Sequence, residues 1–208
     1  MCSILAILGL AAGDATSLRP LAVERSRAMR HRGPDWSGVF ACDTALLVHE
    51  RLAIVDVLGG AQPLVSPDGR YALAVNGEIY NHRELRGELA ASGARPRTHS
   101  DGEVIVHGYL RWGLLGMLRR LRGMFAFALF DTRDGSFHLA RDPLGIKPLY
   151  HARTPWGLVF GSEMKAVLAA LPARPSLSAR GLLQCASLGY ALSPETIFEG
   201  VQSLEPGT

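Results

Sequence analysis

Lysine is nearly missing from this chain of 208 residues: of its 22 basic residues, two are Lys and twenty are Arg. Set against 19 Asp and Glu, they leave a formal net charge of +3. That is too small for a nucleic-acid footprint, and the Arg are interleaved with acidic residues rather than clustered. Cysteine is scarce as well. Cys2, Cys42 and Cys185 are too few and too far apart for a disulfide framework or a zinc knuckle, and an odd count suits a reducing cytosol. No apolar run approaches the roughly 20 residues that span a bilayer. The opening from Ile4 to Ala12 is short and lacks the positive stretch that precedes a secretory h-region. The seven His show no paired spacing with carboxylates on one helix face, so no metal site is expected. Gly59-Gly60 is not followed by Gly-Lys-Ser/Thr, and no Walker-type loop occurs elsewhere. These exclusions describe a cytoplasmic protein of average composition, 48% hydrophobic and 20% charged. Its length has room for one large domain or two small ones.

What is present is a series of short apolar segments separated by turn residues. Ser3 to Leu10 reads as a strand buried on both faces, and Arg19 to Met29 as a helix. Gly38 to Cys42 and Thr44 to His49 form a hairpin through Asp43. Pro67-Asp68-Gly69 is a turn, because Pro presets φ and Gly permits φ > 0, and Tyr71 to Val75 is the strand that follows. Helices are expected at Asn81 to Ala91 and at Gly102 to Leu115, the second capped by Ser100 or Asp101. Phe125 to Phe130 pairs with Phe137 to Ala140, and Leu149 to His151 with Leu158 to Phe160 around Pro155-Trp156-Gly157. Met164 to Leu171 is a helix stopped by Pro172, and Ser178 to Leu188 is another after a linker rich in Pro. Closely spaced strands with grouped helices favour an α+β fold of antiparallel sheets over a doubly wound parallel one.

Three features could carry chemistry. Cys2 has a small side chain at the position that permits removal of Met1, which would leave one residue with both a thiol and an α-amine. An α-amine titrates near 7.7–8.0 and can take the thiol proton, as in the N-terminal-residue variants of the catalytic triad. The plain alternative is a frayed or buried chain end. Asn76-Gly77-Glu78 follows a strand, so an Asn amide and a Gly N–H could form an oxyanion hole. Asn-Gly is equally the strongest hairpin-turn dipeptide. Arg51 could clamp a carboxylate while Asp101 or Glu78 holds an ammonium, together binding an amino acid zwitterion. The alternatives are a surface ion pair for Arg51 and a helix N-cap for Asp101.

Taken in order, Met1-Cys2-Ser3-Ile4, Arg30 to Asp35, His49 to Asp56, Ala74 to Asn81 and Ser100-Asp101 form a recognisable set, continued by Gly123 to Ala128, Arg141 to Gly145 and Ser162 to Lys165. The set resembles the glutaminase domain of glutamine-dependent asparagine synthetases, a class II glutamine amidotransferase. The resemblance implies an N-terminal-nucleophile hydrolase fold, a four-layer αββα sandwich of two antiparallel sheets. It implies glutamine hydrolysis to glutamate and ammonia through a γ-glutamyl thioester. In that reading Cys2 matches the nucleophile with its own α-amine as base, and Asn76 and Gly77 match the oxyanion hole. Arg51 matches the group on the substrate α-carboxylate, Asp101 and Glu78 lie where the α-ammonium is recognised, and Leu52, Ala53, Ile54 and Val55 line the glutamine pocket.

Such domains lead into a synthetase domain with a Ser-Gly-Gly-Leu-Asp-Ser pyrophosphate loop, and no such loop occurs in this chain. Thr196 to Val201 and Leu204 to Thr208 resemble the approach to it. Residues 2–172 are therefore expected to form the amidotransferase domain, and 173–208 a linker and the start of a synthetase domain. That domain, in cis or as a subunit, would use ATP and Mg, while residues 1–208 need no cofactor of their own. Glutamine and the synthetase domain are the expected partners, with a homodimer one permitted assembly. Neither nucleic acid nor membrane is an expected partner. Two other readings fit the same residues: a docking module with negligible turnover, and the ammonia supplier of a β-lactam or peptide-modifying synthetase.

Overall fold

The computed structural model describes residues 1–10, 14–155 and 157–208. Ala11 and Ala12, at the end of the apolar opening, and Trp156, in the proposed Pro155–Gly157 turn, lie outside the described residues.

Strand β1 (Ser3–Leu8) is apolar after its first residue and buried throughout, because it is covered on both faces. Its alternation divides the core. Ile4, Ala6 and Leu8 face the second sheet, while Leu5 and Ile7 pack outward with Ala22 of α1 (Asp14–Ser26) and Val167 of α4 (Met164–Ala170). A 3-10 turn, Arg27–Met29, ends α1. β1 lies between β3 (Ala45–Arg51) and β9 (Gly157–Gly161), all antiparallel. The full order is β10-β8-β9-β1-β3-β2, with β2 (Trp36–Cys42), β8 (Tyr150–Thr154) and β10 (Val201–Ser203) completing it.

The second sheet has the order β4-β5-β6-β7, with β4 at Leu64–Val65, β5 at Tyr71–Ile79, β6 at Gly123–Asp131 and β7 at Phe137–Arg141. Its outer face packs Leu73, Val75 and Phe127 against Leu85 and Leu89 of α2 (His82–Ala91) and Val104 and Ile105 of α3 (Glu103–Leu118). Between the sheets lie Ala6, Ala45, Ala72, Ala74, Ala126 and Ala128, small side chains that let the two layers approach. The chain is thus α+β, and its layers run α-β-β-α as the resemblance implies.

Several boundaries differ from the sequence pattern, for tertiary reasons. β5 does not stop at Val75. It continues through Asn76, Gly77 and Glu78, which pair with Ala126, Phe125 and Met124, so Asn76-Gly77 is strand and not turn. Helix α3 begins after Gly102 with no side-chain cap, which removes the N-cap role for Ser100 and Asp101. It also runs past Leu115 to Leu118, across a break at Gly113 (φ 68°, ψ 177°). The α5 helix (Ala179–Leu188) does start from a side-chain cap, Ser178 accepting from the Gly181 N–H. Beyond it, Val201–Ser203 pairs with β8 and forms one edge of the first sheet.

Candidate active site

Period-2 alternation sets the site. Cys2 shares the inward parity of Ile4 on β1, and Asn76 that of Ala74 on β5, so both meet at one end of the space between the sheets. Cys2, Arg51, Leu52, Ile54, Val55, Asn76, Gly77, Glu78 and Asp101 line a single cleft there. Of the candidates, Ala53 stands apart: its N–H donates to Asp35 Oδ2 at 2.8 Å, and it lines a neighbouring depression with Trp36 and Leu58.

The Cys2 sulfur accepts from the Leu52 N–H at 3.4 Å. Burial pushes the thiol up from its ordinary value and outweighs the opposing pull of the Leu52 N–H, the terminal ammonium and Arg51. A thiol so placed needs a base to become a nucleophile. The strand behind it is fastened at both ends of Ile4, whose N–H donates to Ser162 Oγ at 3.0 Å and whose carbonyl accepts from the Ser162 N–H at 2.9 Å. Arg32 Nε donates to the Cys2 carbonyl at 3.2 Å, and Arg32 is in turn held by Glu163 at 3.1 Å.

On the opposite wall, the exposed edge of β5 presents three N–H groups of equal parity. That of Val75 is taken by Gln62 Oε1 at 2.8 Å, and that of Ile79 by Asp101 Oδ2 at 2.8 Å. Gly77 stands between them. Its cross-strand neighbour Phe125 turns both its backbone groups toward Asp142, so the Gly77 N–H points away from β6 and into the cleft. A Cβ at Gly77 would lie 2.2 Å from the Met124 carbonyl oxygen, which is why glycine stands there. Beside it, Asn76 is 0% exposed and neither atom of its amide has a partner. A buried, unpaired amide costs about 1–3 kcal/mol, so its presence calls for a ligand.

Arg51 is buried rather than part of a surface ion pair. Its Nη atoms donate to the carbonyls of Val57 at 3.0 Å, Val55 at 3.2 Å and Asp56 at 2.6 Å. The guanidinium thus organises the loop that forms the rim of the cleft, and two of its five donors remain for a ligand. Asp56 (φ 50°) completes that loop, its carboxylate accepting from the N–H groups of Gly59 at 3.0 Å and His99 at 2.8 Å. Asp101 spends one oxygen on Ile79 and keeps the other. Its loop is held from outside: Arg86 donates to the carbonyls of Thr98 and Ser100, both at 2.8 Å. Glu103 accepts from the N–H groups of Arg97 at 2.7 Å and Thr98 at 2.9 Å. Contrary to the spacing read from the sequence, His107 does pair with a carboxylate on one helix face, lying one turn from Glu103 on α3 at 3.6 Å. Burial alone would raise the Glu103 carboxyl, yet His107 and these donors bring it down to about 2. His49, fully buried and bonded through Nε2 to the Val75 carbonyl at 3.0 Å, is lowered to about 4 by burial and stays neutral.

Lys147 joins the cleft without any sequence signal beyond its rarity. Gln62 is equally silent, while Arg32 and Ser162 stand inside motifs quoted for the resemblance but were given no role, since their contacts with Cys2 and Ile4 are made only in the fold. Among the described residues, no group of three or more His, Cys, Asp or Glu is placed to hold a metal ion, and no helix is long and apolar enough to cross a membrane.

Cys2 thus heads a buried strand and faces unpaired donors on the second sheet. A family model described as a glutamine amidotransferase domain matches residues 1–208, and the chain belongs to that family. It is 50% identical over 169 residues to the glutamine-hydrolyzing asparagine synthetase B of Escherichia coli (strain K12), covering 81% of this chain and 30% of that protein. To the glutamine-hydrolyzing asparagine synthetase 3 of Arabidopsis thaliana it is 50% identical over 171 residues, covering 80% and 28%. The chain therefore spans under a third of the length of these curated relatives. Among solved structures, the glutamine phosphoribosylpyrophosphate amidotransferase from B. subtilis, complexed with ADP and GMP, matches 98% of this chain and 49% of its own. Its TM-score is 0.62 at 20% identity. A second, described as the allosteric regulatory enzyme of purine biosynthesis, gives 0.67 at 21% identity, with the same coverage. At such identity the likeness concerns the fold alone, two stacked antiparallel sheets with helices on their outer faces. The chain is a glutamine amidotransferase domain whose curated relatives named above are asparagine synthetases.

Proposed function

We propose that this domain hydrolyses glutamine to glutamate and ammonia through a γ-glutamyl thioester on Cys2. The observation that carries the reading is the buried Asn76 amide, unpaired and beside the outward-facing Gly77 N–H, in the cleft that holds the Cys2 sulfur. With Met1 removed, the Cys2 α-amine takes the thiol proton and the sulfur attacks the side-chain carbonyl carbon of glutamine. The developing oxyanion accepts hydrogen bonds from Asn76 Nδ2 and Gly77 N–H. Collapse of this intermediate expels ammonia, with the amine returning the proton to the leaving nitrogen. Water, deprotonated by the same amine, then attacks the thioester, and the proton goes back to the sulfur as glutamate leaves. Asp101 and Glu78 hold the substrate ammonium, and the remaining donors of Arg51 hold its carboxylate.

The relatives' names support aspartate as the acceptor of the ammonia, in a synthetase domain that would use ATP and Mg. In this proposal residues 2–172 carry the glutaminase chemistry, and 173–208 complete the sheet edge with β10 on the way to that domain. Cys2→Ala is expected to remain folded and to release no ammonia from glutamine; undiminished release by that variant contradicts the mechanism. For the longer protein, asparagine is the product expected from glutamine, aspartate and ATP. Amidation of a different carboxylate in its place contradicts the assignment of the acceptor.

A further inference from the structure

Only two basic residues of this chain are lysines, and one of them, Lys147, is 2% exposed in the cleft. Its backbone is fixed on both sides. The Lys147 N–H donates to Asp142 Oδ2 at 3.0 Å, and its carbonyl accepts from Arg141 Nε at 2.7 Å. Asp142 Oδ1 folds the rest of the loop, accepting from Leu144 at 3.1 Å and Ile146 at 2.9 Å. So rigid a loop delivers the ammonium to one place. There, among the described residues, its hydrogen-bond partner is Met1 Sδ at 2.8 Å. A thioether is a weak acceptor, and a buried ammonium with so little compensation is costly to keep. Met1 is also the residue whose removal creates the α-amine on Cys2.

Resting on the glutaminase reading, we propose that Lys147 is a positioning residue for the base: once Met1 has left, its ammonium faces the new Cys2 α-amine and keeps that amine in the free-base form at neutral pH. An ordinary α-amine is half or more protonated at neutral pH, and a neighbouring cation disfavours its protonated form. Burial and the Arg32 guanidinium push Lys147 itself down, while Asp142, Cys2 and Glu78 pull it up. Other charged groups face this end of β1, and most are tied into the fold by at least one bond. Arg32 holds the Cys2 carbonyl and Glu163, and Arg51 holds the rim loop. Asp101 holds Ile79, and Glu78 lies across the cleft on β5. Lys147 differs from Arg32 and Arg51 in that its side-chain partner, Met1, is lost on processing, which leaves its ammonium to settle against the new amine.

The test reads the amine directly and does not depend on turnover. In a Cys2→Ala background, where the thiol cannot confuse the titration, the labelled Ala methyl signal is followed by NMR across pH in the full chain, after intact mass has established loss of Met1. Lys147→Met and Lys147→Gln are each expected to raise the amine midpoint by about one pH unit, while Lys147→Arg keeps it low. With Cys2 present, the acid limb of kcat/KM should move to higher pH by the same amount in the two neutral variants. Neutral variants that titrate like the parent overturn the proposal, as does Lys147→Arg titrating with the neutral pair, or Met1 retained in the parent. A shifted amine without any glutamine turnover would overturn the glutaminase reading alone. Turnover with an unshifted amine would overturn this proposal alone.

Discussion

Leu73 and Asn76 stand on the same strand, and both are 0% exposed. Around Leu73, β5 is paired on both sides, with Leu64 of β4 and Leu129 of β6. Around Asn76 the β4 partner has ended, and only β6 remains. In the first half, backbone groups are consumed by the sheet and side chains fill the core. In the second half, the free edge is satisfied at alternate positions by borrowed side chains, Gln62 and Asp101, and left open at Gly77. The difference teaches how a strand changes from scaffold to site: it loses a neighbour while remaining buried, and its N–H groups become available to a ligand.

Substitutions in the two halves should therefore separate stability from activity. Asn76→Ala is expected to lower kcat by about 10²–10³, the loss typical of one oxyanion donor, with the melting temperature held or slightly raised, since an unpaired amide is removed. Leu73→Ala should do the reverse, costing about 2–5 kcal/mol in denaturant unfolding while the folded enzyme keeps its kcat. A stability loss in the first variant, or a kcat collapse in the second, would erase the distinction.

A smaller effect is expected at the borrowed carboxylate. Asp101→Asn can still accept from the Ile79 N–H but carries no charge for a substrate ammonium. KM for glutamine should rise about tenfold with kcat little changed, a loss of roughly 1.4 kcal/mol. A lower kcat at unchanged KM would instead mean that Asp101 only shapes the strand edge.

The smallest effects at neutral pH concern the buried groups behind each half. His49 is held neutral, with its pKa lowered from 6.5 to about 4, so the unfolded chain binds the extra proton and stability falls as pH drops from 6.5 towards 4. Glu103 is lowered from 4.5 to about 2, so its contribution is complete above 4.5 and is lost as pH falls towards 2. Chemical denaturation across pH should show both declines. Glu103→Gln should flatten the second and leave the first, whereas two unchanged declines in that variant contradict the cradle assigned to Glu103.

The parts of this arrangement legible in the sequence are those written locally. An apolar run directly after Cys2 marks a buried strand, and short apolar segments parted by turn residues mark β5, the β6–β7 pair and the β8–β9 pair. The layering and the roles of the site residues came through resemblance, not periodicity. Asn76-Gly77 was ambiguous because the dipeptide suits a turn as well as a strand. What decides the matter is nonlocal: the register with Phe125 and Ala126, and the carbonyl of Met124 that no side chain at residue 77 could tolerate. Asp101 looked like a cap because it precedes a helix, but its carboxylate is claimed by β5. Lys147 could not be found from its own segment, since its place depends on the Asp142 carboxylate folding the loop around it. The strand β10 was equally hidden, being short and paired only through β8.

The most direct test of the central claim is the crystal structure of the Met1-processed protein after reaction with a glutamine-like diazoketone. The account predicts a covalent bond from Cys2 Sγ to the analogue, with its carbonyl oxygen within hydrogen-bond distance of both Asn76 Nδ2 and Gly77 N. An adduct whose carbonyl oxygen faces away from both donors, or modification of Cys42 or Cys185 in place of Cys2, would contradict it.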